Sequence, residues 1–257
     1  MEEAAATEYT GRAKDNVKNE GSLSVTVNLD KTAPVVDVGP DLEVAEGSEL
    51  AFSASVSDNL DDQVVFGWTF GDDGTASQDL EPGHTYTDNG SFEATLTATD
   101  HADHTSSDTL TVSVLNAAPV VKAGEDRTAQ EGTTVEISAT FTDAGILDTH
   151  TAEVDWGDGT TSAAELNEED GAGGLRAEHV YADNGVYAAR VTVTDNDGDS
   201  GEAAIELTIE NAAPTIAAGE DQAAAEGSVI SLAPATFHDQ GTLDTHAATV
   251  DWGDGTG

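Results

Sequence analysis

One phrase occurs three times in this chain, and that repetition limits what the chain can fold into. AAPVVKAGEDRTAQEG opens at Ala117, AAPTIAAGEDQAAAEG at Ala212, and a looser copy, TAPVVDVGPDLEVAEG, at Thr32. Each leads to an aromatic Gly-Asp turn: Phe70-Gly71-Asp72, Trp156-Gly157-Asp158-Gly159 and Trp252-Gly253-Asp254-Gly255. The prolines that begin the copies, Pro34, Pro119 and Pro214, recur at roughly 90-residue intervals, the length of a whole small domain rather than of a solenoid rung. The spacing predicts two full modules over 33–115 and 116–210, each large enough to bury a core. It also predicts the tail of a preceding module over 1–32 and the first part of a further one over 211–257. On this reading the chain is a piece of a longer protein.

Within a module the period is two. Val135, Ile137, Ala139 and Phe141 share one face of a strand, as do Ala152, Val154 and Trp156, then Tyr187, Ala189, Val191 and Val193, then Ala203, Ile205, Leu207 and Ile209. Gly, Asn and Asp punctuate these runs, and no helical period appears. About seven short strands with such turns predict an immunoglobulin-like β-sandwich. Tyr181 is placed to act as a corner tyrosine, its hydroxyl bonding backbone. Glu165–Gly174, acidic and glycine-rich, reads as a surface excursion. The first module repeats the plan with Leu50, Phe52, Ala54 and Val56, then Phe66, Trp68 and Phe70.

Composition excludes several functions. There are 51 acidic residues against 8 basic ones, a net charge of −43. Nucleic acid is excluded as a partner because no basic stripe exists to meet phosphate, and anionic membrane surfaces are disfavoured. Such charge keeps a protein dispersed, suits a salty medium, and favours cations. There is no cysteine, so no disulfide framework and no thiol nucleophile. No segment approaches a membrane span, and the N-terminus lacks the basic and apolar regions of a signal peptide. A nucleophile elbow, a phosphate loop and a zinc-protease motif are all absent, so the chain reads as non-catalytic.

In the first module an aromatic Gly-Asp turn, His-x-Tyr, Gly-x-aromatic and a closing Thr-Asp follow in order: Trp68-Thr69-Phe70-Gly71-Asp72, His84-Thr85-Tyr86, Gly90-Ser91-Phe92 and Ala98-Thr99-Asp100. The second reads Val154-Asp155-Trp156-Gly157-Asp158, His179-Val180-Tyr181, Gly185-Val186-Tyr187 and Val193-Thr194-Asp195. This pattern resembles the PKD (polycystic kidney disease) domain, although Val154 and Val250 stand where the family has its first aromatic. Asp15-Asn16, the run Leu23–Leu29 and Asp30–Pro34 are similar to the closing hairpin of a bacterial Ig-like domain. The resemblance implies tandem sandwiches in an extracellular or cell-surface multidomain protein, with signal and anchor outside this segment. Members serve as non-catalytic spacers, as adhesive segments, or as accessory modules of secreted hydrolases. The partners it implies are neighbouring modules of the same chain and, for an accessory role, extracellular polysaccharide or a surface protein.

Three sets of residues are candidates for chemistry. The aromatic residues of the Gly-Asp turns would stack on a ligand if exposed, but their alternation with Ala152 and Val154 places them in the core. In a sandwich, the second-to-third and sixth-to-seventh loops share the pole where the chain enters. There Asp143, Asp148, Asp195, Asp197 and Asp199, with Asn116 from the linker, offer hard oxygen ligands of the kind Ca²⁺ takes. No cofactor is required; Ca²⁺ is the candidate ion. Asp195-Asn196-Asp197-Gly198-Asp199 starts like an EF-hand loop, but Ser200 stands where its glycine belongs. His101, Asp103 and His104 are a weaker candidate set for a transition metal. His84 and His179 read as packed residues beside the motif tyrosine. Linkers Asn116–Pro119 and Asn211–Pro214 are short, and proline with its extended predecessor limits bending.

Overall fold

A computed structural model describes residues 7–27, 30–59, 63–72 and 76–253. Leu29 of the expected first hairpin and Asp254-Gly255 of the third Gly-Asp turn lie outside the described residues. Every strand or helix among the described residues is a strand, and the chain forms two compact units, Met1–Ala117 and Ala118–Gly257.

The first unit opens with an antiparallel hairpin, β1 (Thr7–Lys14) and β2 (Glu20–Val27). Asp15 holds its turn: Oδ1 accepts from the amides of Val17 and Asn19. The sandwich follows: β3 (Val35–Asp37), β4 (Leu42–Ala45), β5 (Glu49–Ala51), β6 (Ser55–Ser57), β7 (Val65–Thr69), β8 (Gly83–Thr85), β9 (Gly90–Thr99) and β10 (Thr105–Leu115). One sheet runs β4-β10-β9-β7; opposite it stand the short ladders β3-β6 and β5-β8. The alternating faces converge on one core, with Phe52, Trp68, Phe70, Tyr86, Leu96 and Val112 among its buried side chains.

In the second unit the strands are β11 (Val120–Ala123), β12 (Arg127–Gln130), β13 (Thr134–Thr142), β14 (Thr151–Asp155), β15 (Thr161–Ala163), β16 (Glu165–Glu169), β17 (Ala172–Val180), β18 (Gly185–Thr194), β19 (Ser200–Glu210), β20 (Thr215–Ala217) and β21 (Thr236–His238). Two sheets, β11-β13-β17-β16 and β12-β19-β18-β14-β15, close over Ile137, Phe141, Val154, Trp156, Tyr181, Val191 and Leu207. Burying each aliphatic side chain of this kind contributes roughly 1.5–3 kcal/mol. β20 and β21 pair with each other, and the aromatic of the third copy, Trp252, is 53% exposed.

The stretch Glu165–Gly174, expected as a surface excursion, is instead part of a hairpin in the first of these sheets. Asp170 and Gly171, at φ 50° and 69°, make a two-residue turn with both residues left-handed, the geometry that matches strand twist. Gly173 lies opposite Phe141 in the ladder, and a side chain there would meet the Phe141 ring. The glycines that suggest a loop are what let a core aromatic cover the strand.

In both units the first repeat phrase changes sheets. After β3 or β11 the chain crosses over, and β4 and β12 pair in parallel with the last strands β10 and β19. The Asp of the phrase pins this crossing: Asp41 Oδ1 accepts from the amide of Thr111 at 2.8 Å, and Asp126 Oδ1 from that of Glu206 at 2.9 Å.

Candidate functional site

The aromatic Gly-Asp turn is structural. Phe70 and Trp156 are 3% and 0% exposed, so neither side chain is available to stack on a ligand. Gly71 and Gly157 adopt φ 85° and 77°, and a Cβ would come within 2.8 Å of the carbonyls of Glu93 and Ala188, so only glycine fits. Asp72 and Asp158 each lie 2.7 Å from the Nε2 of His84 and His179. Those imidazoles stack on Phe70 and Trp156 and meet Tyr86 and Tyr181 edge-on. The tyrosine hydroxyls donate to Phe70 O at 3.0 Å and Trp156 O at 2.8 Å, the backbone bond expected of a corner tyrosine. Burial, reinforced by the Asp72 charge, pushes the Tyr86 hydroxyl up to about 12. The packed role expected for His84 and His179 is what the structure shows.

The acid set chosen from sequence assembles in part. Asp148 has carboxylate oxygens within 4.8 Å of Asp143 and of Asp197. Asp143, however, is committed: its Oδ2 lies 3.0 Å from His150 Nε2, both side chains being fully buried, while Glu168 Oε2 lies 2.8 Å from His150 Nδ1. Burial lowers the His150 basicity, but bonds and charges of Asp143 and Glu168 outweigh it and hold the imidazole above its usual range. Asp195 is also committed. Its Oδ1 accepts from the amides of Asp197, Gly198 and Asp199, so the EF-hand-like run is a hairpin turn closed on its own first carboxylate. Asp197 Oδ2 accepts from Asn196. Asp199 follows in that turn, and Asn116 belongs to the linker of the first unit. Of the trio His101, Asp103 and His104, only His104 enters a cluster of ligand atoms among the described residues. Its Nδ1 sits 3.0 Å from Asp100 Oδ2, with Asp30 within 4.8 Å.

Sequence reading overlooked the Glu of the repeated Glu-Gly. Glu46 and Glu131 are 1% and 0% exposed. Their amides donate to Leu115 O and Glu210 O, and their Oε1 atoms accept from the exit-linker amides of Ala117 at 2.8 Å and Ala212 at 2.7 Å. The signal was present: Glu46, Glu131 and Glu226 recur at one place in the phrase. Each sandwich thus grips the chain that leaves it.

The PKD domain family matches residues 31–114 and 116–209. No curated protein matches the chain. Among solved structures, the fold is similar to the I-band fragment I67-I69 from titin (16% identity, 80% of this chain and 75% of that one, TM-score 0.41). It is also similar to the fibronectin(III)-like modules of Clostridium thermocellum CbhA (16%, 69% and 94%, TM-score 0.31). A third is the PKD domain of an M14-like peptidase from Thermoplasmatales archaeon SCGC AB-540-F20 (23%, 37% and 98%, TM-score 0.29). Two tandem sandwiches built on the same turn, histidine and tyrosine cluster place this chain in the PKD domain family.

Proposed function

We propose that this chain is a non-catalytic spacer and adhesive segment of a secreted or cell-surface multidomain protein. The observation that carries the reading is the linker grip: a fully buried carboxylate of each sandwich holds the first residues of its exit linker. A bound linker followed by proline has few conformations left, which suits a segment that must keep distance. The acidity adds solubility and mutual repulsion between chains. Calcium at the Asp143–Asp148–Asp197 pole is a finer part of the reading; the closeness of Asp148 to Asp143 and, separately, to Asp197 supports it, and the pairing of Asp143 with His150 weakens it. An accessory role, docking polysaccharide for a hydrolase, finds less support because the motif aromatics of both sandwiches are turned inward.

The chain has no cysteine, so Ser22→Cys and Ser228→Cys place a unique dye pair for single-molecule energy transfer. A spacer holds one narrow distance distribution between 0.15 and 1 M NaCl. A broad distribution, or collapse when charge is screened, would refute the spacer role.

A further inference from the structure

The buried carboxylate of Glu131 does more than hold a linker. One oxygen accepts from Ala212; the other, Oε2, is buried without a hydrogen-bond partner. A carboxylate oxygen in that condition is costly unless something positive completes it. Carboxylate oxygens of Glu131, Asp183 and Asp244 all lie within 4.8 Å of one another. The two arginines of β17 and β18 are engaged elsewhere: Arg176 pairs with Glu136 and Glu178, and Arg190 with Glu202. Three carboxylates therefore converge, and one of them, Glu131, carries a buried oxygen with no hydrogen-bond partner.

Their placement is built by the fold. Asp183 sits in the turn before β18, where Tyr187 Oη donates to its carbonyl at 3.0 Å. Asp244 comes from the loop Asp239–His246, which is seated on the sandwich by the Leu243 amide donating to Ala182 O. That loop repeats the form of Asp143–His150: Gly145 and Gly241 donate to the first Asp, and the second Asp amide donates back to that glycine. Asp239 is taken by His246 at 2.8 Å, as Asp143 is by His150, which leaves Asp244 for the cluster. A side chain at Gly241 would meet both Glu131 and Asp244, so the glycine keeps the space between them open. Burial and the charges of Glu131, Asp239 and Asp183 push the Asp244 carboxyl above its usual range.

We propose that Glu131, Asp183 and Asp244 bind a Ca²⁺ ion where the chain leaves the second sandwich. Ca²⁺ sits about 2.4 Å from its oxygen ligands, so one ion reaches oxygens up to about 4.8 Å apart; Mg²⁺, at about 2.1 Å in a strict octahedron, demands a tighter set. Bidentate carboxylates and water complete a shell of roughly 6–8 oxygens. The ion satisfies the buried Oε2 and ties the linker and the following loop to the sandwich. Its purpose, stiffening, rests on the spacer reading; its chemistry does not.

The test is calorimetric titration of the full chain with CaCl₂ in 0.15 M NaCl, with Tb³⁺ luminescence excited through tyrosine as a second readout, since Tyr187 adjoins Asp183. Asp183→Asn and Asp244→Asn, both at partly exposed positions, should each remove one bound Ca²⁺ or weaken it at least tenfold, and cut Tb³⁺ emission. Glu131→Gln keeps the acceptor for Ala212 and should do the same, whereas Glu153→Gln, at an exposed position of β14 outside both acid sets, should change neither readout. Unchanged stoichiometry and affinity in the Asp183→Asn/Asp244→Asn double variant, or equal displacement by MgCl₂, overturns the site. Dye-pair distances with and without Ca²⁺ separate the two readings: binding without a change in distance width retains the site and removes its stiffening role.

Discussion

The two sandwiches share a motif but distribute their ring mass differently. The first concentrates it: Phe52, Trp68 and Phe70 lie with centroids 5.1–6.1 Å apart, and the indole Nε1 of Trp68 has no hydrogen-bond partner. The second has Val154 where the first has Trp68, and its one core tryptophan, Trp156, donates from Nε1 to Ser162 Oγ at 2.9 Å. It makes up volume at the other end with Phe141, packed against His150 and over Gly173. Fixed backbone bonds thus tolerate two solutions of the core, one aromatic and under-bonded, the other spread out and fully bonded at its indole.

The largest effect should come from emptying either core. Trp68→Ala and Trp156→Ala should each cost about 3–5 kcal/mol, read as loss of one of two denaturation transitions while the other persists. Loss of both transitions from one substitution would break the picture of two separate cores. Next, Gly173→Ala should cost about 1–3 kcal/mol by driving a methyl into Phe141, with the second transition shifted. Tyr86→Phe and Tyr181→Phe should each cost about 1–3 kcal/mol by leaving a buried carbonyl unmatched; similar losses in both units would show that the corner bond is common to the two cores. Trp156→Phe should cost about 1 kcal/mol more than its lost volume warrants, because it orphans Ser162, whereas Trp68→Phe should not. The smallest effect is on pH. Burial raises the Asp158 carboxyl, but bonds from Thr160 and His179 more than offset this, so it titrates below the usual value of 3.8. Its contribution is therefore present above that value and fades as pH falls through the lower, folded one. Urea midpoints of wild type and Asp158→Asn should converge between pH 5 and 2.5; a constant gap would contradict this.

Much of this was legible because sheet physics is written at period two. The inward positions of β13, β14, β18 and β19 all follow from alternation, and Tyr181 fell where a corner tyrosine belongs. The β16–β17 hairpin was not legible in that way: Glu165–Asp170 is nearly all acidic or polar, and Gly173-Gly174 looks like a loop until Phe141 is seen above it. Its signal was the Asp170-Gly171 pair. The acid set poses a different problem. Counting carboxylates cannot tell those with partners, such as Asp143 and Asp195, from those without. Glu131 sits among ordinary turn residues, so its recurrence in the phrase as Glu46 and Glu226 gains meaning only once its burial is seen.

The parallel pairing of β4 with β10, and of β12 with β19, bears on how such a chain carries load. Tension applied through the linkers pulls the early and late strands of a sandwich in opposite directions along their common ladder. All rungs are then sheared together, whereas a hairpin pulled at its open end would unzip one rung at a time. Asp41 and Asp126 add a side-chain tie across the same ladder. A chain wired this way should extend in a few abrupt, high-force steps, one for each sandwich.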